Sequence, residues 1–212
     1  MEKKTAAEIL QDVGAVITNS HFVYTSWKHG SAYVNKDALY PHTMETSALC
    51  LAIAREFVHE QVEAVVVPAV GGVALSQWTA YHLSYLTGRE VLAIYAEKSD
   101  DGNSFVIKRG YDKLIAKKEV LVVEDILNTG GTARKVVEAV RAIKGKVIGV
   151  GCLCNRGGVT YRDLSYVRML HSLVNIKLDA WDEADCPLCA QGVPVNTDVG
   201  KGREFLERKQ KQ

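Results

Sequence analysis

The most informative segment of the chain reads VVEDILNTGGT and covers residues 122–132. It continues an apolar run that starts at Val120, and apolar residues at helical spacing follow it from Ala133 to Ile143. An apolar strand, an acidic pair, a loop of hydroxyl residues and glycines, and a helix thus come in direct succession. In sheets of parallel strands, ligands bind where strands end and such loops begin.

The acidic pair and the loop suit two different parts of a sugar phosphate. Glu124 and Asp125 are costly to bury unless a ligand satisfies them, and the vicinal hydroxyls of a ribose would do so. The loop offers a helix N-terminus and glycines that let a phosphate approach the backbone. The expected phosphate contacts are Asn128, Thr129, Gly130, Gly131 and Thr132. We therefore predict a ribose 5-phosphate site.

A solvated acidic turn followed by a capped helix is the simpler interpretation of the same residues. Each part of the pattern alone would fit it, but the ordered combination favours a ligand site. Two other nucleotide-binding loops are excluded by the order of the residues. No Gly-Lys-Ser/Thr follows, as it would in a Walker loop, and the acids precede the glycines, unlike in a Rossmann fingerprint.

Apolar runs and helical patterns alternate along the rest of the chain. Thr5 and Glu8 have capping-box spacing, which predicts a helix after Thr5. Continuously apolar strands between helices indicate a parallel sheet covered on both faces, and hence an α/β fold. The predicted strands are Glu63–Val67, Val91–Tyr95, Val120–Val123 and Val147–Leu153, and further helices are predicted at Thr46–His59 and Val73–Leu86.

Composition limits the function classes. A length of 212 residues suits one α/β domain with a small subdomain, and an apolar content of 47% allows a sizeable core. A net charge of +1 gives no electrostatic reason to expect nucleic acid, and no apolar run is long enough for a membrane span. Met1–Leu10 lacks the apolar core of a secretory signal, so we expect a cytoplasmic protein with free thiols.

Segment 122–132 resembles the phosphoribosyl-pyrophosphate motif of type I phosphoribosyltransferases, and the resemblance extends more loosely over most of the chain. It implies a single phosphoribosyltransferase domain over residues 1–212. A core sheet of about five parallel strands would lie at about 45–155, with a hood from about 1–44 and 156–212. The implied reaction transfers the phosphoribosyl group of 5-phosphoribosyl 1-pyrophosphate to a nucleobase and releases pyrophosphate. The implied cofactor is Mg²⁺, with Glu124 and Asp125 holding the ribose directly or through the metal's shell.

Two further segments at strand ends carry the same resemblance. One is similar to the family's pyrophosphate-binding loop and consists of Ala69, Val70, Gly71 and Gly72. The polar segment Glu97–Leu114 is similar to the family's mobile catalytic loop. It implies that the cations Lys108, Arg109 and Lys98 act on the departing pyrophosphate, alongside Asp125. An ordinary glycine turn and a solvated hairpin are the alternative interpretations.

The resemblance favours orotate as the acceptor base. Asn128 stands where the hypoxanthine-guanine branch of the family has an aspartate, which argues against that branch. Residues 21–34 resemble the opening of orotate phosphoribosyltransferases, and Asn155-Arg156 follows a strand where those enzymes have an Asp-Arg pair. The implied base-binding residues are Lys28 and Arg156, since a guanidinium fork suits a planar anion.

Two departures from the orotate pattern leave alternatives open. Trp27 stands where glycine is usual, and Asn155 replaces an aspartate. A purine or another nucleobase is therefore an alternative acceptor, and a nucleotide-binding regulator on the same fold is an alternative function. In the orotate enzymes the catalytic loop acts across a dimer interface, so the resemblance also implies a homodimer.

Four of the five cysteines form two closely spaced pairs, Cys152 with Cys154 and Cys186 with Cys189. Together these four thiols could hold Zn²⁺. Cys152 and Cys154 would share one face of a predicted strand, where small core residues are the alternative interpretation. The six histidines show no metal-ligand spacing.

Overall fold

The computed structural model describes residues 4–176 and 178–210. In chain order, the helices are α1 (Ala6–Asp12), α2 (Thr43–Glu56), α3 (Val73–Thr87), α4 (Tyr111–Ile115), α5 (Gly131–Ala142), α6 (Pro187–Ala190) and α7 (Gly202–Gln210). The strands are β1 (Val16–Ile17), β2 (Phe22–Val23), β3 (His29–Gly30), β4 (Tyr33–Val34), β5 (Ala64–Pro68), β6 (Leu92–Lys98), β7 (Phe105–Val106), β8 (Glu119–Leu127), β9 (Lys146–Asn155) and β10 (Met169–Asn175). None of the described helices combines the length and the apolar character that a bilayer crossing requires.

The chain divides into two compact units. The first, which we call the core unit, covers His42–Ile176, and the second, the terminal unit, joins Met1–Pro41 to Lys177–Gln212. The core was predicted to end at about residue 155, before β10. Because β10 pairs with β9 as far as Asn175, the core unit continues to Ile176.

A six-stranded sheet runs through the core unit in the order β10-β9-β8-β5-β6-β7. The first five of these strands are parallel, which confirms the α/β fold with a predicted parallel core sheet. The short strand β7 is an addition that pairs with β6 in the antiparallel direction. All five residues of β5 are buried, as expected for a central strand with both faces covered. The carboxyl ends of the parallel strands therefore meet at one edge of the sheet.

Helices cover both faces of the sheet with the apolar side chains that the sequence spacing identified. On one face, Val136 and Val140 of α5 share an apolar cluster with Val122 and Val150. Successive strand residues face opposite sides, so Gly151 faces the other helix layer, where Ile53 of α2 packs against it. Each helix is thus placed by apolar contacts that its own spacing predicts.

Local signals at helix ends also appear as predicted. At the start of α1, the Glu8 backbone N–H donates to Thr5 Oγ1 at 3.3 Å, and the Thr5 N–H donates to the Glu8 carboxylate at 2.7 Å. This reciprocal pair is a capping box. At its C-terminal end, helix α3 stops at Gly88, whose φ of +67° is a left-handed conformation that glycine adopts without strain.

Gly149 of strand β9 lies close to Phe57 and to Met169 of β10. A Cβ atom added there would be 2.9 Å from Cε1 of Phe57 and 3.0 Å from the carbonyl oxygen of Met169. Gly149→Ala is expected to lower the free energy of unfolding by about 1–3 kcal/mol, because Phe57 and β10 must shift. Gly131→Ala is the matched control, since its Cβ would meet only Thr129 Oγ1 at 3.4 Å. Urea unfolding measures both, and a Gly149→Ala protein as stable as the wild type would contradict this packing.

Candidate functional site

The acidic pair lies inside the sheet rather than after it. Strand β8 was predicted to end at Val123, but it continues to Leu127 because β9 pairs with it as far as Asn155. The pair therefore lies near the carboxyl end of β8, a strand that stands between β9 and β5 in the sheet. A strand end of this kind holds its side chains in place more firmly than a loop would.

Both carboxylates of the pair are buried, with Glu124 5% and Asp125 4% exposed. Backbone amides satisfy part of their hydrogen-bonding capacity. The Asp125 N–H donates to Glu124 Oε1 at 3.1 Å, and the Ile126 N–H donates to Asp125 Oδ1 at 2.7 Å. An ionised carboxylate has about four acceptor positions, so a carboxylate that accepts from backbone amides can also accept from hydroxyl donors or hold a cation.

The loop after β5 lies beside the acidic pair. Ala64 of β5 is level with Val120 of β8, so Pro68 at the end of β5 is level with Glu124 on the next strand. Residues 69–72 follow, with a cis peptide between Ala69 and Val70. A Cβ atom on Gly72 would lie 2.9 Å from the Pro68 carbonyl oxygen, so this turn needs glycine. Helix α3 begins directly after it, and the first-turn N–H groups of a helix have no partner within the helix.

The loop after β8 presents a second helix start to the same edge. Gly130 is the residue before α5 and has a φ of +73°. A Cβ atom there would also lie 2.9 Å from Val159 Cγ1, so both the backbone angle and the space require glycine. The side chains of Asn128, Thr129 and Thr132 are exposed around it. Backbone N–H groups and hydroxyls thus surround a position that suits a phosphate.

Arg156 follows β9 and is held next to this loop. Its N–H donates to the Leu127 carbonyl at 2.9 Å, and the N–H of Gly157 donates to the same oxygen at 3.2 Å. A Cβ atom on Gly157 would lie 1.5 Å from the Asn128 carbonyl oxygen, so only glycine allows the two segments to meet. Within residues 4–176 and 178–210, the half-buried Arg156 guanidinium has no carboxylate at ion-pair distance.

Asn155 has a structural task that explains why it is not an aspartate. Its side-chain N–H donates to the Val159 carbonyl at 2.8 Å, and the Val159 N–H donates to its side-chain oxygen at 3.0 Å. The side chain is buried, at 7% exposed. An ionised aspartate could not make the first of these bonds, because an ionised carboxylate has no donor. Asn155 therefore closes the turn that carries Arg156.

The segment predicted as a mobile catalytic loop is a β-hairpin followed by the short helix α4. Strands β6 and β7 form the arms, and the Ser99 N–H donates to the Ser104 carbonyl at 3.0 Å across the turn. Phe105 and Ile107 anchor its base, because both are buried in the apolar cluster of the core unit. The segment thus has the paired strands of a hairpin, with polar residues at its tip, and its catalytic role stays a prediction.

The cations expected at the catalytic loop are paired within the hairpin. Lys108 Nζ lies 3.0 Å from Asp100 Oδ1, and Arg109 donates from Nη2 and Nε to Glu97 Oε1 at 2.7 and 2.9 Å. The carboxylate of Glu97 raises the pKa of Arg109 through these hydrogen bonds and its charge. Lys98 is exposed on the same hairpin. Exposed ion pairs contribute little to stability, so these cations can exchange their partners for a ligand.

The four cysteines of the predicted zinc site belong to different units of the chain, two to the core unit and two to the terminal unit. Cys152 lies in the apolar cluster of the core unit beside Val150, and burial raises the pKa of its thiol to about 12 and that of Cys154 to about 11. These are core residues, as the alternative interpretation has it. Cys186 and Cys189 instead lie close to His21 and His29 of the terminal unit. The spacing of these residues in the sequence did not predict this group.

Lys28, the second predicted base-binding residue, belongs to the terminal unit. Its Nζ lies 3.1 Å from the carboxylate of Asp182, and both side chains are exposed. A contact of Lys28 with the base stays a prediction.

Comparisons with known proteins agree with this geometry. A family model described as "Phosphoribosyl transferase domain" matches residues 43–187. The chain is 32% identical to the orotate phosphoribosyltransferase of Caldanaerobacter subterraneus subsp. tengcongensis, over 92% of this chain and 96% of that protein. The enzyme of the same name from Caldicellulosiruptor bescii is also 32% identical, with the same coverage. The crystal structure of orotate phosphoribosyltransferase from Aeropyrum pernix aligns with a TM-score of 0.64 and 25% identity, covering 81% of this chain and 93% of that one.

The role of Asn155 predicts a stability change that depends on pH. Asn155→Asp is expected to lower the free energy of unfolding by about 1–3 kcal/mol at pH 8, since a carboxylate cannot donate to the Val159 carbonyl. Burial beside that oxygen raises the pKa of the introduced carboxyl above its value in the unfolded chain. Its protonated form can donate, so the deficit relative to wild type should shrink as the pH falls from 8 to 5.

Chemical denaturation at the two pH values measures this deficit. Asn175→Asp is the matched control, because Asn175 is exposed on β10 directly opposite Asn155. We expect it to change stability little at either pH. A deficit of equal size at pH 5 and pH 8 for Asn155→Asp would refute the hydrogen-bond role.

Proposed function

Since the chain belongs to the phosphoribosyltransferase family, we propose that it transfers the phosphoribosyl group of 5-phosphoribosyl 1-pyrophosphate to orotate. The products are orotidine 5′-phosphate and pyrophosphate, and the reaction is a step of pyrimidine nucleotide biosynthesis. The observation that carries the proposal is the buried acidic pair of β8, which lies directly between two loops that each lead into a helix. Relatives named orotate phosphoribosyltransferase support the choice of acceptor.

The ribose phosphate of the donor fits the end of β8 and the loop after it. Glu124 and Asp125 accept hydrogen bonds from the two ring hydroxyls, which satisfies carboxylates that are otherwise costly to bury. The 5-phosphate occupies the helix start around Gly130, where backbone N–H groups and the hydroxyls of Thr129 and Thr132 donate to it. Two contacts at opposite ends of the sugar orient its C1 atom for attack.

The acidic pair also suits the Mg²⁺ ion expected with the donor. Mg²⁺ prefers hard oxygen ligands and commonly keeps several waters, and two adjacent carboxylates provide such ligands. Glu124 and Asp125 would hold the ion directly or through its waters. When bound, Mg²⁺ supplies charge neutralisation to the pyrophosphate.

The loop at residues 69–72 and the hairpin serve the leaving group. Backbone N–H groups of the loop donate to pyrophosphate oxygens next to the acidic pair. Lys108 and Arg109 leave Asp100 and Glu97 and pair with the pyrophosphate as the bond from C1 to oxygen breaks. The electron pair of that bond departs with pyrophosphate, and a nitrogen of the base bonds to C1 from the opposite face. No covalent enzyme intermediate is required.

Arg156 is the residue we assign to the acceptor. Backbone bonds to Leu127 hold it at the edge of the phosphate loop, and its guanidinium is available to a ligand. Orotate differs from the other common bases in its carboxylate, which a guanidinium binds through two parallel hydrogen bonds. The amide of Asn155 stabilises the turn through two hydrogen bonds to the Val159 backbone. An ionised aspartate, as in the resembled pattern, could not make both of them.

A panel of bases tests the reaction and its acceptor together. With the donor and Mg²⁺, we expect pyrophosphate release with orotate and not with uracil, adenine, hypoxanthine, guanine or xanthine. Arg156→Ala should lower kcat/KM for orotate roughly 10- to 100-fold, since a hydrogen bond to a charged group contributes about 1.5–3 kcal/mol. Arg89→Ala is the matched control, because Arg89 precedes β6 at the opposite edge of the sheet.

Each other result of the panel has a definite meaning. Release with a purine alone would keep the reaction class and overturn orotate as the acceptor. Donor binding without release from any base would favour a nucleotide-binding regulator. Tight donor binding by the Glu124→Ala, Asp125→Ala double variant would contradict the placement of the ribose.

We further propose that the protein acts as a homodimer in which the hairpin of one subunit closes on the site of the other. Mixing two inactive variants tests this arrangement. One carries Glu124→Ala and Asp125→Ala, and the other carries Lys108→Ala and Arg109→Ala. In a mixed dimer, one of the two sites combines an intact acidic pair with an intact hairpin. After random subunit exchange about half of the dimers are mixed, so equal mixing should restore about one quarter of the wild-type activity. A monomer by light scattering, or no restored activity after exchange, would contradict the proposal.

A further inference from the structure

Two histidines and two cysteines meet inside the terminal unit. His21, His29 and Cys186 are buried and Cys189 is partly buried, and one possible ligand atom from each lies within 4.8 Å of all the others. His21 Nε2 is 2.8 Å from His29 Nδ1. Cys186 Sγ is 3.7 Å and Cys189 Sγ is 3.8 Å from His21 Nε2, and Cys189 Sγ is 3.3 Å from His29 Nδ1. Four soft or borderline donors thus point at one small space.

We propose that this group binds one Zn²⁺ ion as a closed structural site with two nitrogen and two sulfur ligands. In a tetrahedral zinc site, two nitrogens lie about 3.3 Å apart, nitrogen and sulfur about 3.6 Å, and two sulfurs about 3.8 Å. The two separations between His21 and the cysteines, 3.7 and 3.8 Å, are close to this arrangement. The separations of His29 from Cys189 and from His21, 3.3 and 2.8 Å, are shorter, so the two imidazoles would move apart by a few tenths of an ångström to admit the ion. Two nitrogens and two sulfurs in a tetrahedron favour zinc over Mg²⁺, Ca²⁺ or Mn²⁺, which prefer oxygen.

The contacts around His21 favour metal binding. Its Nδ1 lies 2.8 Å from the Val193 carbonyl oxygen, an acceptor only, so Nδ1 carries the proton and donates it there. The lone pair of Nε2 is thereby left on the side of the cysteines. A backbone carbonyl that fixes the tautomer and orientation of a ligand histidine is the usual second contact of a zinc site.

His29 and the cysteines complete the set. Nδ1 of His29 faces the cluster, while Nε2 has no hydrogen-bond partner among the described residues, and the ring meets Phe205 edge-on at 4.9 Å between centroids. The proton of a neutral His29 then belongs on Nε2. Cys186 precedes α6 and Cys189 lies within it, with the two-residue spacing that is common between zinc-binding cysteines.

A bound Zn²⁺ ion would leave the site without net charge. Binding of Zn²⁺ releases one proton from each thiol to solvent and leaves two thiolates and two neutral imidazoles around the ion. The ligand set and the metal are then neutral together, which is favourable in a buried place.

The ion would join two distant parts of the chain. Cys189 is 160 positions from His29, and both histidines already pair through their backbones with the C-terminal segment, His29 with Trp181 and His21 with Val195. The terminal unit consists of short strands and helices, and small units of this kind commonly rely on a metal or disulfides for stability. Zinc at this position would hold the two segments of the unit together.

Metal analysis of tag-free protein, purified under reducing conditions and then equilibrated with Zn²⁺ and desalted, tests the proposal. We expect about one zinc per chain in the wild type and less than about one tenth of that in Cys186→Ser, Cys189→Ser and His29→Gln. Cys154→Ser is the matched control and should retain its zinc, because Cys154 is a buried cysteine of the core unit. Replacement of the zinc by Co²⁺ should give tetrahedral visible bands with thiolate charge transfer, which a chance surface ion would not.

A second measurement covers variants that fail to fold. A strong chelator added to wild-type protein should remove the zinc and lower the melting temperature of the terminal unit, and added Zn²⁺ should restore it. The proposal fails if the wild type retains no zinc after desalting, or if Cys189→Ser retains as much as the wild type. It also fails if the zinc is lost from Cys154→Ser instead. These readouts do not involve phosphoribosyl transfer, so they are independent of the proposed function.

Discussion

The burial of Glu124 and Asp125 is a constraint on the whole core unit. A carboxylate loses hydration when a strand is covered, and this cost must be offset by hydrogen-bond donors or a cation. The sheet meets this demand by placing them at the carboxyl end of β8, between β5 and β9, where backbone amides donate to them and a ligand can reach them. The strand order and the length of β8 fix where the pair lies, and the loops after β5 and β8 each lead into a helix at the same edge of the sheet.

Glycines at close contacts shape the other parts of the candidate site. Gly72 lies against the Pro68 carbonyl, Gly130 against Val159, and Gly157 against the Asn128 carbonyl. Each of these contacts excludes a side chain and brings main-chain N–H groups or turns close together. In the function proposed above, phosphates would be bound mainly by backbone N–H groups, and charged side chains would act in the steps in which charge develops.

Sequence patterns predicted the features that depend on neighbouring residues. The capping box of α1 and the alternation of strands and helices were correct because spacing along the chain determines them. The end of β8 was placed too early, since the length of a strand depends on its partner, here β9. The paired strands at residues 97–106 were expected only as the alternative to a mobile loop, because the buried anchors Phe105 and Ile107 stand among polar residues. The catalytic role of this segment stays a prediction. The histidine–cysteine group was missed because its members come from opposite ends of the chain.

The discontinuous terminal unit has a consequence for biosynthesis. Its first segment leaves the ribosome before the core unit, but its partner segment is made after it. The 160 positions between His29 and Cys189 take roughly 8–30 s to translate. During that interval the core unit can complete its sheet, whereas the N-terminal segment has no second half to fold with. During synthesis this segment thus stays without its partner, and open to proteases and chaperones, until the C-terminal segment has been made.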